Sequence, residues 1–267
     1  MADSKTTIRS LMSKYKAGEK LVAITAYDAL QAKILDPFVD IILVGDSLGM
    51  TALGYATTLE VTIEQSLHHT AAVSRGIGQA FLVGDMPFMT FGINDDESIR
   101  NAGRYLKESG AQAVKLEGGQ KAAPLIRKMV SLGIPVMGHI GLLPQHVNSD
   151  GGYHVHGKEP HEASALMDDA KSLEEAGVFS IVIEGVPADL GVKITDSVNV
   201  PTIGIGAGAG CSGQIQVLSD ILGMDADFKP QHARQYADLA DIISGAIDAY
   251  ATDIRSGEFP SDKESFK

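Results

Sequence analysis

Eight short apolar runs are spaced along the chain, and segments with a helical pattern separate most of them. The runs are rich in β-branched residues, which is typical of strands buried on both faces of a parallel sheet. Strands are predicted at residues 21–25, 41–46, 81–85, 113–117, 135–139, 180–184, 202–205 and, with a weaker pattern, 215–218. Strands that alternate with helices in this way predict a (β/α)₈ TIM barrel. A doubly wound open sheet is the alternative, because periodicity does not show whether a sheet closes.

Helices are predicted between these strands and at both ends of the chain. They cover residues 6–16, 62–75, 96–109, 124–132, 162–176, 188–197 and 232–254. Gly76, Gly110, Gly133 and Gly177 each follow a predicted helix, where a glycine in the left-handed conformation commonly ends it. Because residues 6–16 precede the first strand, the predicted fold is an α/β barrel with a short N-terminal helix.

Size and charge narrow the class of protein. The chain has 267 residues and no low-complexity linker, so a single domain is predicted over residues 1–267. A formal net charge of -12 gains nothing from counterion release, so nucleic-acid binding is not expected. No run reaches the ~18–20 apolar residues that cross a bilayer, and the lone Cys211 excludes an internal disulfide. A cytoplasmic protein without a membrane partner is therefore predicted.

Four acidic residues stand at the ends of predicted strands, namely Asp46, Asp85, Glu117 and Glu184. The carboxyl ends of parallel strands meet at one edge of a sheet, where α/β proteins bind their ligands. The long segment at residues 142–160 is predicted to fold over this edge as a lid or to make subunit contacts. The pattern therefore predicts an active site at the carboxyl ends of the strands.

Asp46 and Asp85 are the main candidates for metal ligands. Neighbouring carboxylates repel each other at neutral pH, a hard cation relieves that repulsion, and oxygen ligands favour Mg²⁺ over Zn²⁺. A helix cap is the alternative role for each aspartate. Five histidines lie between residues 139 and 161, but no HExxH motif is present, so Zn²⁺ is the lesser alternative.

Further polar groups are expected beside these carboxylates. Lys115 and Glu117 share one face of a strand, and Lys115 is predicted to be a fixed cation for an anionic substrate. A Schiff-base nucleophile or a structural ion pair are its alternatives. Glu184 ends an apolar strand, which suits a general base, or else it holds a metal-bound water. His139 is predicted to donate a hydrogen bond in the pocket, and a glycine-rich strand-to-helix turn at residues 201–214 to cradle an anion.

The motifs that contain these residues resemble one known family. ITAYDAL, ILVGDSLGM, VGDMPFMTF, AVKLEGG, VMGHIGLLPQ, GGYHVHGK and SIVIEGVP occur in the order found in the ketopantoate hydroxymethyltransferase family. The resemblance runs from about residue 20 to the C-terminus. It implies a (β/α)₈ barrel that uses Mg²⁺ and 5,10-methylenetetrahydrofolate and assembles as a homodecamer of two pentameric rings.

The resemblance also implies roles for individual residues. The metal ligands are Asp46 and Asp85, with Glu117 close to the ion. The keto-acid contacts are Asp46, Ser47, Asp85 and Lys115, and the proton acceptor is Glu184. The implied reaction adds a hydroxymethyl group to 3-methyl-2-oxobutanoate through a Mg-stabilised enolate and gives ketopantoate, the first committed step of pantothenate biosynthesis.

Two other functions remain open. A phosphoenolpyruvate mutase or isocitrate-lyase-type barrel also uses Mg²⁺ with a keto-acid enolate, but such enzymes carry a reactive cysteine in a mobile loop, and Cys211 comes too late in the chain. A metabolite-binding barrel without activity would lack some of the charged residues described above, and all of them are present.

Overall fold

Eight parallel strands pair in chain order and close into a barrel in the computed structural model, which describes residues 5–266. The barrel closes because β1 (Leu21–Thr25) pairs with both β2 (Ile41–Val44) and β8 (Gly213–Gln216). The other strands are β3 (Phe81–Asp85), β4 (Ala113–Glu117), β5 (Val136–Gly141), β6 (Ser180–Glu184) and β7 (Thr202–Ile205). The prediction of a (β/α)₈ barrel is confirmed, and the open-sheet alternative is wrong.

Helices occupy most of the connections between the strands. They are α1 (Ile8–Lys16), α2 (Ala29–Leu35), α3 (Leu48–Thr51), α4 (Ile63–Ser74), α5 (Asp95–Arg104), α6 (Ala123–Ser131), α7 (Val147–Asp150), α8 (Pro160–Ala176) and α9 (Ala188–Ser197). Local sequence fixes several of their ends: Thr62 and Gln65 form a capping box at the start of α4, and Pro160 stands at the first position of α8. Among the described helices, none combines the length and the apolar character that a bilayer crossing requires.

The chain forms two compact units, which divide after Val217. The first unit holds the barrel and helices α1 to α9. The second unit holds α10 (Leu218–Leu222) and α11 (Leu239–Ser256). The prediction of a single domain over residues 1–267 stays a prediction.

Alternate strand residues fill the barrel interior with apolar side chains, as the two-residue repeat of a strand dictates. Ile41, Leu43, Phe81 and Val83 belong to one buried apolar cluster, and Leu11 of α1, only 1% exposed, joins it. Burying a leucine in this way contributes about 1.5–3 kcal/mol. The contacts of α1 and of Thr6, two residues before it, lie at the starts of strands, so the N-terminal helix closes the N-terminal end of the barrel.

Three strands have bounds that differ from the prediction, and among these differences β5 starts at 136 rather than 135 and β8 ends at 216 rather than 218. β2 stops at Val44 because the next residues turn into α3, where the Leu48 N–H donates to the Gly45 carbonyl. β5 extends to Gly141, beyond the predicted end at 139. β8 begins at Gly213 rather than at residue 215, because a glycine lets its backbone approach Leu21 of β1; a Cβ there would lie 2.4 Å from the Leu21 carbonyl oxygen.

The helix predictions contain three errors. The glycine-rich segment at residues 201–214 is a strand-to-strand turn, since β8 follows β7 without a helix between them. The final helix starts at Leu239 rather than 232, since Tyr236 instead donates its N–H to the Ile221 carbonyl. Gly110, Gly133 and Gly177 adopt positive φ as predicted, but Gly76 does not. Gly76 is needed for close packing, because a Cβ there would lie 2.3 Å from the Ala29 carbonyl oxygen.

Candidate active site

The register of the barrel brings polar side chains together at the carboxyl ends of its strands. Asp85 lies beside Lys115 in the β3–β4 pairing, and Glu117 lies beside His139 in the β4–β5 pairing. Paired residues of parallel neighbours point to the same face of a sheet, so these four side chains share one cluster. The fifth predicted residue, Glu184, ends β6 one strand further round the barrel.

Lys115 lies at the centre of this cluster. Its Nζ is 2.9 Å from Oδ1 of Asp85, and both side chains are almost fully buried. Burial alone would lower the pKa of the Lys115 ammonium, but the charges of Asp85, Glu117 and Asp46 outweigh it and raise the pKa above its ordinary value. Lys115 is therefore a permanent buried cation. Because the pKa is raised, a neutral amine for Schiff-base chemistry is disfavoured.

His139 connects Lys115 to Glu184. Its Nδ1 lies 3.3 Å from Nζ of Lys115, and its Nε2 lies 3.2 Å from Oε2 of Glu184. Burial, followed by the charge of Lys115, lowers the pKa of His139, so the imidazole is neutral. An ammonium group can only donate, so Nδ1 must be the acceptor and Nε2 must carry the proton. The imidazole Nε2 is therefore close to the Glu184 carboxylate, whose side chain is 20% exposed, but it makes no hydrogen bond to any residue that the structure describes.

Asp46 and Asp85 lie side by side after β2 and at the end of β3. The Asp46 backbone N–H donates to Oδ2 of Asp85 at 3.1 Å. Burial, and then repulsion from Asp85, raises the pKa of Asp46 from 3.8 to about 7. This carboxylate pair is therefore held together at an electrostatic cost, as expected for a site that takes up a cation.

Gln145 completes the cluster, and the sequence did not identify it. It lies in a short 3₁₀ turn of the β5–β6 connection, within the segment predicted to form a lid or subunit contacts. Its side-chain amide donates to Oδ2 of Asp46 at 2.8 Å and to the Met86 carbonyl at 3.0 Å. Its backbone N–H donates to Oε2 of Glu117 at 3.1 Å. Burial raises the pKa of Glu117 well above its ordinary value.

Hydroxyl groups extend the site at two places. Tyr27, which follows β1, places its OH 2.9 Å from Oγ of the half-buried Ser47. Ser66 and Tyr105 both donate to the carbonyl of Asp85, at 3.0 and 2.7 Å. Tyr27, Ser66 and Tyr105 were also missed by sequence reasoning. A polar residue just past a strand end, as in TAYDAL, is the one signal that could have pointed to Tyr27.

The donor set fits Mg²⁺ better than Zn²⁺. Among residues 5–266, no group of three or more His, Cys, Asp or Glu is close enough to hold a metal ion unaided. Mg²⁺ commonly uses one or two carboxylates and completes its shell with water and substrate, whereas structural Zn²⁺ needs four ligands. The paired Asp46 and Asp85 suit that arrangement. Oε1 of Glu117 is buried and accepts no hydrogen bond from the described residues, but its place in the metal ligand set stays a prediction.

Other predicted features lie outside the cluster. His154 and His156 stack on each other, with ring centroids 4.4 Å apart. Cys211 is buried, and burial raises the pKa of its thiol, which fits a packed side chain rather than a nucleophile.

Comparison with known proteins places the chain in a family. Residues 5–262 match the family model described as ketopantoate hydroxymethyltransferase. A 3-methyl-2-oxobutanoate hydroxymethyltransferase of Dehalococcoides mccartyi is 52% identical over 263 residues, which are 98% of this chain and 93% of the relative. The enzyme of the same name from Syntrophus aciditrophicus is 50% identical and covers 98% of this chain and 97% of its own length.

A solved structure shares the fold at lower identity. The crystal structure of 2,3-dimethylmalate lyase, a member of the PEP mutase/isocitrate lyase superfamily, has a TM-score of 0.60 and 16% sequence identity. The match covers 98% of this chain and 92% of the lyase. Similarity at this level shows a common barrel and nothing about the reaction.

Proposed function

This chain belongs to the ketopantoate hydroxymethyltransferase family, and on that premise we propose that it transfers a hydroxymethyl group to 3-methyl-2-oxobutanoate. The proposed donor is 5,10-methylenetetrahydrofolate and the product is ketopantoate, in the pathway to pantothenate. One observation supports the chemistry most directly: Lys115, His139 and Glu184 form a chain of contacts beside the Asp46–Asp85 pair. The mutase or lyase alternative is supported by fold similarity alone.

The proposed metal is Mg²⁺, with Asp46 and Asp85 as its ligands and Glu117 close to it. The supporting observations are the raised pKa of Asp46 and the two adjacent carboxylates, whose repulsion a cation would offset. When bound, such an ion polarises a substrate carbonyl and so acidifies the neighbouring C–H.

The protein's own groups then bind the substrate and move the proton. The buried ammonium of Lys115 offsets the negative charge of the keto acid, and the half-buried Ser47 hydroxyl is available to orient it. Glu184 accepts the proton from C3 and so leaves the enolate. Water releases the one-carbon unit of the folate as formaldehyde and leaves tetrahydrofolate, and the enolate carbon adds to that formaldehyde, whose oxygen takes up a proton and becomes the new hydroxyl. His139 lies between Lys115 and Glu184, with its Nε2 3.2 Å from Oε2 of Glu184.

We also propose a cytoplasmic homo-oligomer, with a decamer of two pentameric rings as the expected form. In α11, Ile243, Ile247, Tyr250 and Ile254 repeat at helical spacing and are exposed. An apolar helix face of this kind commonly belongs to an interface between subunits. The number of subunits is checked by light scattering of the purified protein.

The test is NMR of 3-methyl-2-oxobutanoate and methylenetetrahydrofolate with the protein in D₂O, with Mg²⁺ or with EDTA. Ketopantoate should form with Mg²⁺ and not with EDTA. Glu184→Gln should abolish deuterium exchange at C3 and leave keto-acid binding nearly intact, because the amide cannot accept the proton. Glu97→Gln, a change of the same kind on an exposed helix turn, is the control.

The outcomes separate the parts of the proposal. Exchange that persists in Glu184→Gln would assign the base to another group. Exchange by the unchanged protein without ketopantoate would contradict the folate donor. If folded protein with Mg²⁺ gives neither deuterium exchange nor ketopantoate, the transferase function is refuted.

A further inference from the structure

Among the described residues of the long β5–β6 connection, Gln145 is the one whose side chain makes hydrogen bonds within the carboxylate cluster. It is only 5% exposed. Its contacts reach Asp46 after β2, Met86 after β3 and Glu117 at the end of β4. A single loop residue therefore ties together three consecutive strand ends that carry the proposed metal ligands.

The orientation of the Gln145 amide is fixed by its surroundings. Nε2 faces two acceptors, a carboxylate oxygen and a backbone carbonyl oxygen, and an amide nitrogen has two hydrogens to offer them. A flipped amide would place its own oxygen against both acceptors. The 3₁₀ turn, in which Pro144 precedes Gln145, sets the backbone so that the Gln145 N–H meets Glu117.

These hydrogen bonds engage one oxygen of each carboxylate. Oδ2 of Asp46 and Oε2 of Glu117 are occupied by Gln145. Oε1 of Glu117 is buried and accepts no hydrogen bond from any residue that the structure describes. A carboxylate fixed through one oxygen presents the other in a defined direction, which is how neighbours of a metal ligand commonly orient it.

We propose that Gln145 is a positioning residue for the divalent cation, which holds Asp46 and Glu117 so that their remaining oxygens face the ion. This inference rests on the proposed function, since it concerns the same site. It predicts that loss of the amide weakens cation binding even when the fold and the ligands themselves are intact.

A merely structural role makes a different prediction, and Gln112 provides the matched control. The side chain of Gln112 also makes two hydrogen bonds, accepting from the Leu82 N–H and donating to the Thr6 carbonyl, both at 3.2 Å. These contacts lie at the opposite end of the barrel, at the start of β4. Replacing either glutamine with methionine keeps the length of the side chain and removes the hydrogen bonds of its amide, whereas the bond from the Gln145 backbone N–H to Glu117 remains.

The experiment measures Mn²⁺ binding to the full chain by the EPR signal of the free ion, and thermal unfolding in EDTA. Gln145→Met should raise the dissociation constant for Mn²⁺ about 10–100-fold, whereas Gln112→Met should leave it unchanged. Both variants should unfold at lower temperature than the unchanged chain. If Gln145→Met does not fold, Gln145→Asn serves instead, because its shorter amide cannot reach both acceptors.

Equal Mn²⁺ affinity in the Gln145 variant and the Gln112 control would overturn the inference and leave the proposed function standing, provided that the unchanged chain binds Mn²⁺ and forms ketopantoate. If the unchanged chain does not bind Mn²⁺, that result overturns both this inference and the metal in the proposed function.

Discussion

Replacing Asp46 with asparagine tests whether the ionised Asp46 carboxylate destabilises the folded protein at neutral pH. The Asp46 side chain is buried, and desolvation followed by repulsion from Asp85 raises its pKa from 3.8 to about 7. Between pH 3.8 and about pH 7, the folded state therefore keeps a proton that the unfolded state has already lost. Stability must fall as the pH rises through this window, and the full penalty is present above about pH 7.

The size of the penalty follows from the shift. A tenfold change in proton affinity corresponds to about 1.4 kcal/mol, so a pKa raised from 3.8 to about 7 costs on the order of 4 kcal/mol once the carboxyl is ionised. Asparagine carries no charge, and its side-chain oxygen can still accept the hydrogen bond from Gln145. Asp46→Asn should therefore stabilise the protein, and the gain should be larger by about 2 kcal/mol or more at pH 8 than at pH 5.

The assay is guanidinium unfolding in EDTA at both pH values and at one protein concentration, since assembly also contributes to apparent stability. Asp36→Asn is the control, because the Asp36 carboxylate accepts the backbone N–H groups of Gly78, Gln79 and Ala80. Asparagine has one acceptor oxygen instead of two, so Asp36→Asn should destabilise at either pH. A gain in Asp46→Asn that does not grow from pH 5 to pH 8 would refute the reasoning. Added Mg²⁺ should stabilise only proteins that retain Asp46.

Two further predictions concern the neighbours of Asp85. Lys115→Met removes the cation paired with Asp85 and should destabilise the protein by about 3–5 kcal/mol at pH 8. The loss should be smaller at pH 5, because carboxylates of the cluster can then protonate. An equal loss of stability at both pH values would contradict this. Gly84→Ala places a Cβ 2.3 Å from the Tyr105 ring and should cost about 1–3 kcal/mol in the same unfolding assay. Gly103→Ala in α5, where a Cβ meets nothing within 4 Å, should not destabilise, so equal losses would argue against the clash.

The sequence predicted the carboxylates of the site well because their signal is local. A charge directly after a buried apolar run is visible without knowledge of the fold, and parallel pairing carries Asp85, Lys115, Glu117 and Glu184 to one edge. Closure of the barrel was a choice between two folds, because the sequence shows neither the order of the strands nor the pairing of β1 with β8.

The residues that the sequence missed depend on contacts between distant segments. Gln145 lies 99 residues from Asp46, and Tyr27 lies 20 residues from Ser47. Amides and hydroxyls in connecting segments are common, so their type carries little information until the fold shows what they meet. The β7–β8 turn was mistaken for the start of a helix for a related reason: a glycine-rich segment reports backbone freedom and not the direction of the chain that follows.

The two ends of the barrel treat buried carboxylates differently, and this contrast separates stability from function. At the N-terminal end, Asp36 accepts three consecutive backbone N–H groups, and Asp40 pairs with Lys14 and accepts the Val22 N–H. At the carboxyl end, the clustered carboxylates surround one buried cation, Lys115, and their charges raise its pKa. Burial raises the pKa of Asp46 and Glu117. A carboxylate that is paired and hydrogen-bonded within the fold stabilises the folded state. A carboxylate that is buried with too few partners destabilises it and provides affinity for a ligand. The same residue type thus has opposite effects on stability at the two ends, as expected of a barrel whose active site lies at the carboxyl ends of its strands.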